Sequence, residues 1–254
     1  MKSLILLAPL SLAPLTPPVV TPAALGRSPT FDSAAAMPLP VSVLPSVRTV
    51  QPALASERVL PKLESGDLVF LDLGRAPFLD AIAEPTMEQY GVDGPRLHHS
   101  GLVEVVDGQA YVWESWPRKG VTRVPLRFFL ARVQGGEDEA GGYYLGRMRP
   151  ERRSAALAAL ARVKGWEGRP FEESMALGGP GFYCAQLISA AFEGSGFFTP
   201  KPMVFGREGS PARELWKKYF AQHGLPVPDG ELGVSPLGLY LEGRRELFDA
   251  VSPR

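Results

Sequence analysis

Hydrophobic and polar positions change rhythm along this chain, from alternation in its centre to helical spacing after residue 150. The clearest feature is a pair of β-rich runs, Gly101-Leu-Val-Glu-Val-Val106 and Gln109-Ala-Tyr-Val-Trp-Glu114, joined by Asp107-Gly108. Asp-Gly between such runs predicts a hairpin with a two-residue turn, because both turn positions need positive φ. The apolar run Asp67–Leu73, after Ser65-Gly66, predicts another strand, and Val121–Val124 and Tyr143–Met148 predict two more. Phe78–Tyr90 has mixed helical character. Glu151–Lys164 predicts a helix through Ala156, Leu157, Leu160, Ala161 and Val163, stopped by Gly165. Cys184–Phe192 predicts a second helix behind the turn Gly178-Gly179-Pro180-Gly181, and Leu215–His223 a third, closed by Gly224. The Pro/Gly-rich tail from Leu225 is expected to wrap the surface. Strands in the centre followed by helices predict an α+β class.

The first sixty residues follow a different rule. Eleven of the 26 prolines lie in residues 1–61. Residues 1–56 hold one acid, Asp32, and three bases, Lys2, Arg27 and Arg48. MKSLILLAPLSLAPL is a basic residue followed by an apolar run of signal-peptide length, so residues 1–26 are expected to direct export. The alternative is a Pro/Ala leader kept in the cytosol. The run is too short to span a membrane, and Pro9 and Pro14 interrupt it. Residues 27–60 offer too little apolar surface to fold alone and predict a flexible tether, leaving 61–254 as the folded domain.

Charge and composition narrow the chemistry. Lys plus Arg is 27 and Asp plus Glu is 27, so net charge gives no nucleic-acid footprint. The single cysteine excludes an internal disulfide and a multi-Cys zinc site, and three histidines leave little for a His-rich one. No metal, nucleotide or haem cofactor is implied; the Gly-rich stretch 178–181 lacks the lysine and spacing of a phosphate loop. Arg147, Arg149, Arg152 and Arg153 form a basic cluster expected to be a solvated face, with an anionic substrate or envelope polymer as the alternative.

Candidate chemistry centres on Cys184. At the start of a helix, unpaired N–H groups and the helix dipole favour a thiolate. The same donors can hold an oxyanion during acyl transfer. The plainer alternative is a small buried hydrophobe, since free cysteine is often buried. The hairpin supplies a partner. With a two-residue turn, Val106 faces Gln109, Glu104 faces Tyr111, Val103 faces Val112 and Gly101 faces Glu114. His99, Gly101, Val103 and Val105 then share a face with Ala110, Val112 and Glu114. His99 and Glu114 are diagonal neighbours at one end of an otherwise apolar face, within side-chain reach. An imidazole beside a carboxylate is a base with its orienter. Alternatively, Glu114 is a solvated strand-end acid and His99 caps the hairpin. His98 points to the opposite face and is expected to be structural or at the rim, and His223 ends a helix where a cation suits the dipole.

Ser65-Gly66-Asp67-Leu68-Val69-Phe70, His99-Ser100-Gly101-Leu102-Val103, Val112-Trp113-Glu114-Ser115 and Phe182-Tyr183-Cys184-Ala185-Gln186-Leu187 together resemble the permuted papain-like cysteine hydrolases, the YiiX-like branch of the NlpC superfamily. Gly120-Val121, Pro125-Leu126, Phe129-Leu130-Ala131-Arg132, Gly168-Arg169-Pro170-Phe171, Pro202-Met203 and Gly224–Pro228 extend the resemblance, which covers roughly residues 63–240. Histidine precedes cysteine here, as in the permuted branch. The resemblance implies a small antiparallel sheet packed against the cysteine helix. It implies Cys184 as nucleophile, His99 as general base and acid, and Glu114 as polar third member. Tyr183 matches an aromatic position associated with the oxyanion site. Two departures stand out. Ala185-Gln186 replaces the usual Ser-Glu, so Gln186 can hold a hydrogen bond but no charge. His98 stands where the family commonly has Ser.

These readings together lead to a thiol hydrolase that cleaves an amide bond through an acyl-enzyme. Cell-wall peptides are one substrate class implied; small amides and lipid-type acyl groups are others. An acyltransferase or lipid hydrolase with the same triad would need an apolar groove, for which Trp113, Trp116, Phe197 and Phe198 are candidates. A non-catalytic binding module that keeps the fold is the remaining alternative.

Overall fold

The computed structural model describes residues 62–133, 142–246 and 248–251. The export segment and tether expected over 1–60 lie outside them. The elements run β1 (Leu68–Asp72), α1 (Pro77–Tyr90), β2 (His99–Val106), β3 (Gln109–Trp116), β4 (Gly120–Pro125), α2 (Leu126–Leu130) and β5 (Gly142–Met148). Then come α3 (Arg153–Lys164), α4 (Cys184–Ala191), β6 (Lys201–Pro202), α5 (Pro211–Gln222), β7 (Leu232–Gly233), α6 (Pro236–Glu246) and β8 (Phe248–Val251). Six strands form one antiparallel sheet in the order β4-β3-β2-β1-β5-β8, and β6 and β7 pair separately. The class is α+β, as the distribution of strands and helices predicts.

The β2–β3 hairpin has the predicted register: Val106 opposite Gln109, Glu104 opposite Tyr111 and Val103 opposite Val112. Asp107 and Gly108 both take positive φ, 50° and 77°, the turn geometry that matches strand twist. Alternation along the strands divides the core into two layers. Leu68, Phe70, Leu102 and Trp113 face α3, α4 and α6, meeting Ala156, Leu160, Leu187, Ile188 and Leu237. Val69, Leu71, Val103, Val112 and Leu145 face the other way and are covered by Leu126 and Phe129 of α2. A satellite cluster joins α1 to α5 through Ala81, Phe205, Trp216 and Phe220, with the Trp216 indole donating to the Ala81 carbonyl at 2.8 Å.

Three expectations need correction. The segment after Leu225 does not merely wrap the surface: it contains α6, whose Leu237, Leu239 and Tyr240 are core residues. The third helix starts at Pro211, earlier than its apolar spacing suggests, because Ser210 caps it by accepting from Arg213 N–H at 3.2 Å. The basic cluster is not an open solvated face. Arg147 grips Asp67 at 2.8 and 3.2 Å, Arg153 pairs with Glu64, and Arg152 lies 5.2 Å from the Phe197 ring centroid. The Arg147 and Arg153 contacts hold the segment entering β1.

Gly101 in β2 is required by packing, since its φ is not positive. A Cβ there would press into the Val112 side chain, 3.0 Å from the Trp113 carbonyl and 3.2 Å from the Phe129 ring. Gly101→Ala is expected to cost about 1–3 kcal/mol through overpacking. Thermal unfolding measures this; an unchanged midpoint would show that the α2 layer yields freely.

Candidate functional site

The site is assembled from four parts of the chain. The hairpin supplies two. His99 is the first residue of β2, and its Nε2 lies 2.6 Å from Glu114 Oε2 on β3. An ionised carboxylate only accepts, so Nε2–H donates. Both side chains are buried, Glu114 completely. The predicted diagonal pair is therefore together in space.

The third part is Cys184, the first residue of α4. Residues 168–182 carry it to the sheet by fastening onto β4 and β3. Val121 N–H donates to the Arg169 carbonyl and Gly168 N–H to the Val121 carbonyl, each at 2.8 Å. Phe182 N–H donates to the Pro170 carbonyl at 3.0 Å, and the Ser115 hydroxyl donates to the Phe182 carbonyl at 2.5 Å. Cys184 is partly exposed and lies beside the His99 imidazole, near enough for its sulfur to raise that ring's proton affinity. With Nε2 committed to Glu114, Nδ1 is the nitrogen left for sulfur. Cys184 packs with the α4 layer, whereas Phe129 and Trp116, which flank the imidazole at 5.4 and 4.9 Å between centroids, belong to the opposite layer. The pair thus meets at the end of the strands, where β2 begins, and not across one sheet face.

The fourth part is Arg132, just beyond α2, which residue-by-residue reading did not single out. Its guanidinium grips Glu114 with both forks: Nη1 donates to Oε2, the oxygen that also bonds His99, and Nη2 donates to Oε1 at 2.5 Å. The guanidinium carbon lies 4.1 Å from the Trp116 ring centroid and 5.5 Å from that of Phe129. Its only trace in the sequence was the Phe129–Arg132 stretch within the family resemblance.

Electrostatics follow from these contacts. Burial by itself would lower the His99 imidazole. Bonds and charge from Cys184 and Glu114 outweigh burial and raise it from 6.5 to about 9. Burial likewise works against the Glu114 carboxylate, yet His99 and then Arg132 hold it below the ordinary glutamate value. His98 behaves oppositely. Burial, reinforced by Arg96, lowers it to about 4, and its Nδ1 accepts from Leu73 N–H at 3.0 Å. It is a neutral imidazole whose contacts are with the Leu73 backbone and Asp72. His223 lies against the Tyr219 ring in a tilted contact at the end of α5, 3.8 Å from Glu173.

Tyr183 and Gln186 frame the cysteine. The Tyr183 hydroxyl accepts from Val234 N–H at 2.9 Å and retains its own proton to donate. Burial, more than the nearby Cys184 charge, pushes this phenol up. Gln186 accepts from Tyr183 N–H and donates from Nε2 to the Ala176 carbonyl, both at 3.2 Å. The second bond requires an amide, which gives a physical reason for glutamine in place of glutamate. Gln186→Glu sets a carboxylate against a carbonyl and is expected to cost about 1–3 kcal/mol. Calorimetry measures this, and a neutral result would show that the 176 loop moves aside.

No known family profile matches the chain. No curated protein matches it either. Its structure is similar to the crystal structure of the metalloprotein YiiX from Escherichia coli O157:H7 (DUF1105), with a TM-score of 0.57 and 16% identity over 76% of this chain and 99% of that one. Among the described residues here, no cluster of three or more His, Cys, Asp or Glu side chains is arranged to hold a metal ion. His99 Nε2 and both Glu114 oxygens are engaged by one another and by Arg132. What the two proteins share is a fold: this chain has the α+β architecture of YiiX.

Proposed function

We propose that this chain is a thiol hydrolase of the permuted papain-like, NlpC type, cleaving an amide bond through Cys184, His99 and Glu114. The observation that carries the reading is a single imidazole bonded to a carboxylate and set beside a helix-start cysteine that raises its proton affinity. In this mechanism His99 holds the proton of Cys184, leaving a thiolate at the helix N-terminus. The thiolate attacks the carbonyl carbon. Backbone N–H of Cys184, helped by the Tyr183 hydroxyl, stabilises the oxyanion. Collapse of the intermediate breaks the C–N bond, and His99 gives its proton to the leaving amine. His99 then takes a proton from water, whose hydroxide releases the acyl group as an acid and restores the thiol. Glu114 fixes the imidazole throughout.

Lipid or ester substrates would call for an apolar groove beside Cys184. Trp113 is buried with its indole on Glu104, and Phe197 and Phe198 pack on Phe192 at the far end of α4. Of the four aromatic candidates, only Trp116 borders the imidazole. This favours amides. The test is an acyl-enzyme trap: the protein is exposed to cell-wall peptides, small amides and acyl esters, and its intact mass is measured. A single acyl adduct on Cys184 from amides supports the reading. No adduct from any class, with Cys184 inert to iodoacetamide below pH 7, would leave a binding module instead.

The raised His99 sets the pH dependence. Its proton is present below about 9 and lost above that. Amide turnover is therefore expected to fall as pH rises through about 9, because the leaving amine loses its proton donor. Alkylation of Cys184, which needs no donor, is expected to persist. A parallel fall in both would contradict this.

A further inference from the structure

Glu114 is shared between two cations, and that sharing has consequences for His99. Both Arg132 and the imidazole bond the same oxygen, Oε2, while Arg132 also occupies Oε1. A carboxylate wholly devoted to an imidazolium strengthens its hold on the proton; one shared with a guanidinium does so less. The fork also permits one carboxylate orientation, since two parallel bonds fix its plane. Trp116 and Phe129 both lie near the guanidinium and both flank the imidazole, so Arg132 and His99 share the same two aromatic neighbours.

Other groups facing His99 leave little to compete with this effect. From α4 comes Cys184, with Tyr183 at the cap within charge range of that sulfur. From β3 comes Glu114, and from beyond α2 comes Arg132. The residue paired with His99 on β1 is Leu71, and the adjacent His98 is a neutral imidazole bonded to Leu73 N–H.

We propose that Arg132 is a positioning residue for the Cys184–His99 pair. It locks the Glu114 carboxylate against the imidazole and, by drawing part of that charge to itself, keeps the His99 proton transferable. The inference rests on the hydrolase reading for its catalytic meaning, but its physical content does not need turnover.

The test follows His99 directly by NMR of labelled histidine rings, in the full chain carrying Cys184→Ala, so that no thiol titrates alongside. With three histidines the spectrum is resolvable. Arg132→Met removes charge and fork, and the His99 midpoint is expected to rise by about one unit. Arg132→Lys keeps a charge without the fork, and the midpoint is expected to stay within about 0.3 unit. With Cys184 restored, both variants are expected to lower kcat more than they change KM, with Lys recovering part of the loss. If Arg132→Met does not fold, Arg132→Gln carries the same comparison. An unmoved midpoint, or equal shifts in the uncharged and Lys variants, overturns the proposal. Failure of the hydrolase reading shows itself separately, as the absence of acyl-enzyme in the unaltered protein.

Discussion

Replacing Cys184 by alanine is expected to lower amide turnover by on the order of 10^4-fold or more and to abolish the acyl adduct, with no loss of folding. Cys184 sits at the helix start, partly exposed, so removing sulfur leaves no sealed cavity. The same variant also isolates His99. Without sulfur the imidazole keeps Glu114 but loses the partner that, after the effect of burial, contributes most to its raised affinity. The expected lowering of its midpoint, read by NMR, reports the Cys184–His99 contact independently of any substrate. Retention of substantial turnover in this variant would remove the proposed nucleophile.

The second large effect concerns Glu114. Glu114→Ala leaves the Arg132 guanidinium without its partner in a mostly buried setting, with Arg132 18% exposed and the carboxylate fully buried. Breaking such a pair from one side costs about 3–5 kcal/mol, because the remaining charge is stranded. In a domain of this size that corresponds to a fall of roughly 10 °C in the unfolding midpoint. Glu114→Gln keeps the shape and hydrogen-bonding capacity and is expected to lose less stability, yet to lower kcat on the order of 10^2-fold. Calorimetry and steady-state kinetics on the two variants separate the structural from the chemical role. The pH dependence supplies a further sign. The unfolded histidine titrates near 6.5 and the folded one near 9, so its contribution to stability is fully present below 6.5 and lost as pH rises through about 9. Removing Glu114 is expected to shrink that window. An Ala variant as stable as the parent would mean the carboxylate is solvated and unpaired.

The hairpin and the His99–Glu114 pair were legible because Asp107-Gly108 sets the register and a period of two then sets the faces. Cys184 was legible as a helix start because glycines and a proline precede it and an apolar run follows. Arg132 was not. One arginine after a five-residue helix has no periodicity to mark it, and its meaning depends on α2 folding across the sheet. Helix α6 was hidden for another reason: Gly233, Pro236 and Gly238 look like loop punctuation, while burial of Leu237, Leu239 and Tyr240 depends on distant partners in β1 and β5, Phe70 and Tyr144. Composition suggested a free basic surface where Arg147 and Arg153 in fact meet Asp67 and Glu64, eighty or more residues earlier. Local rules find what neighbours in sequence build, and long-range pairing escapes them.

The β2–β3 turn closes over two residues, so imidazole and carboxylate come together through a short loop at small entropic cost. Sulfur comes from eighty-five positions downstream, behind a segment, residues 168–182, that is fastened onto β4. Detaching that segment would leave the imidazole–carboxylate pair of the hairpin without its sulfur partner. On the proposed reading, nucleophilic power therefore belongs to the assembled domain alone, since it needs the short hairpin and the distant loop together.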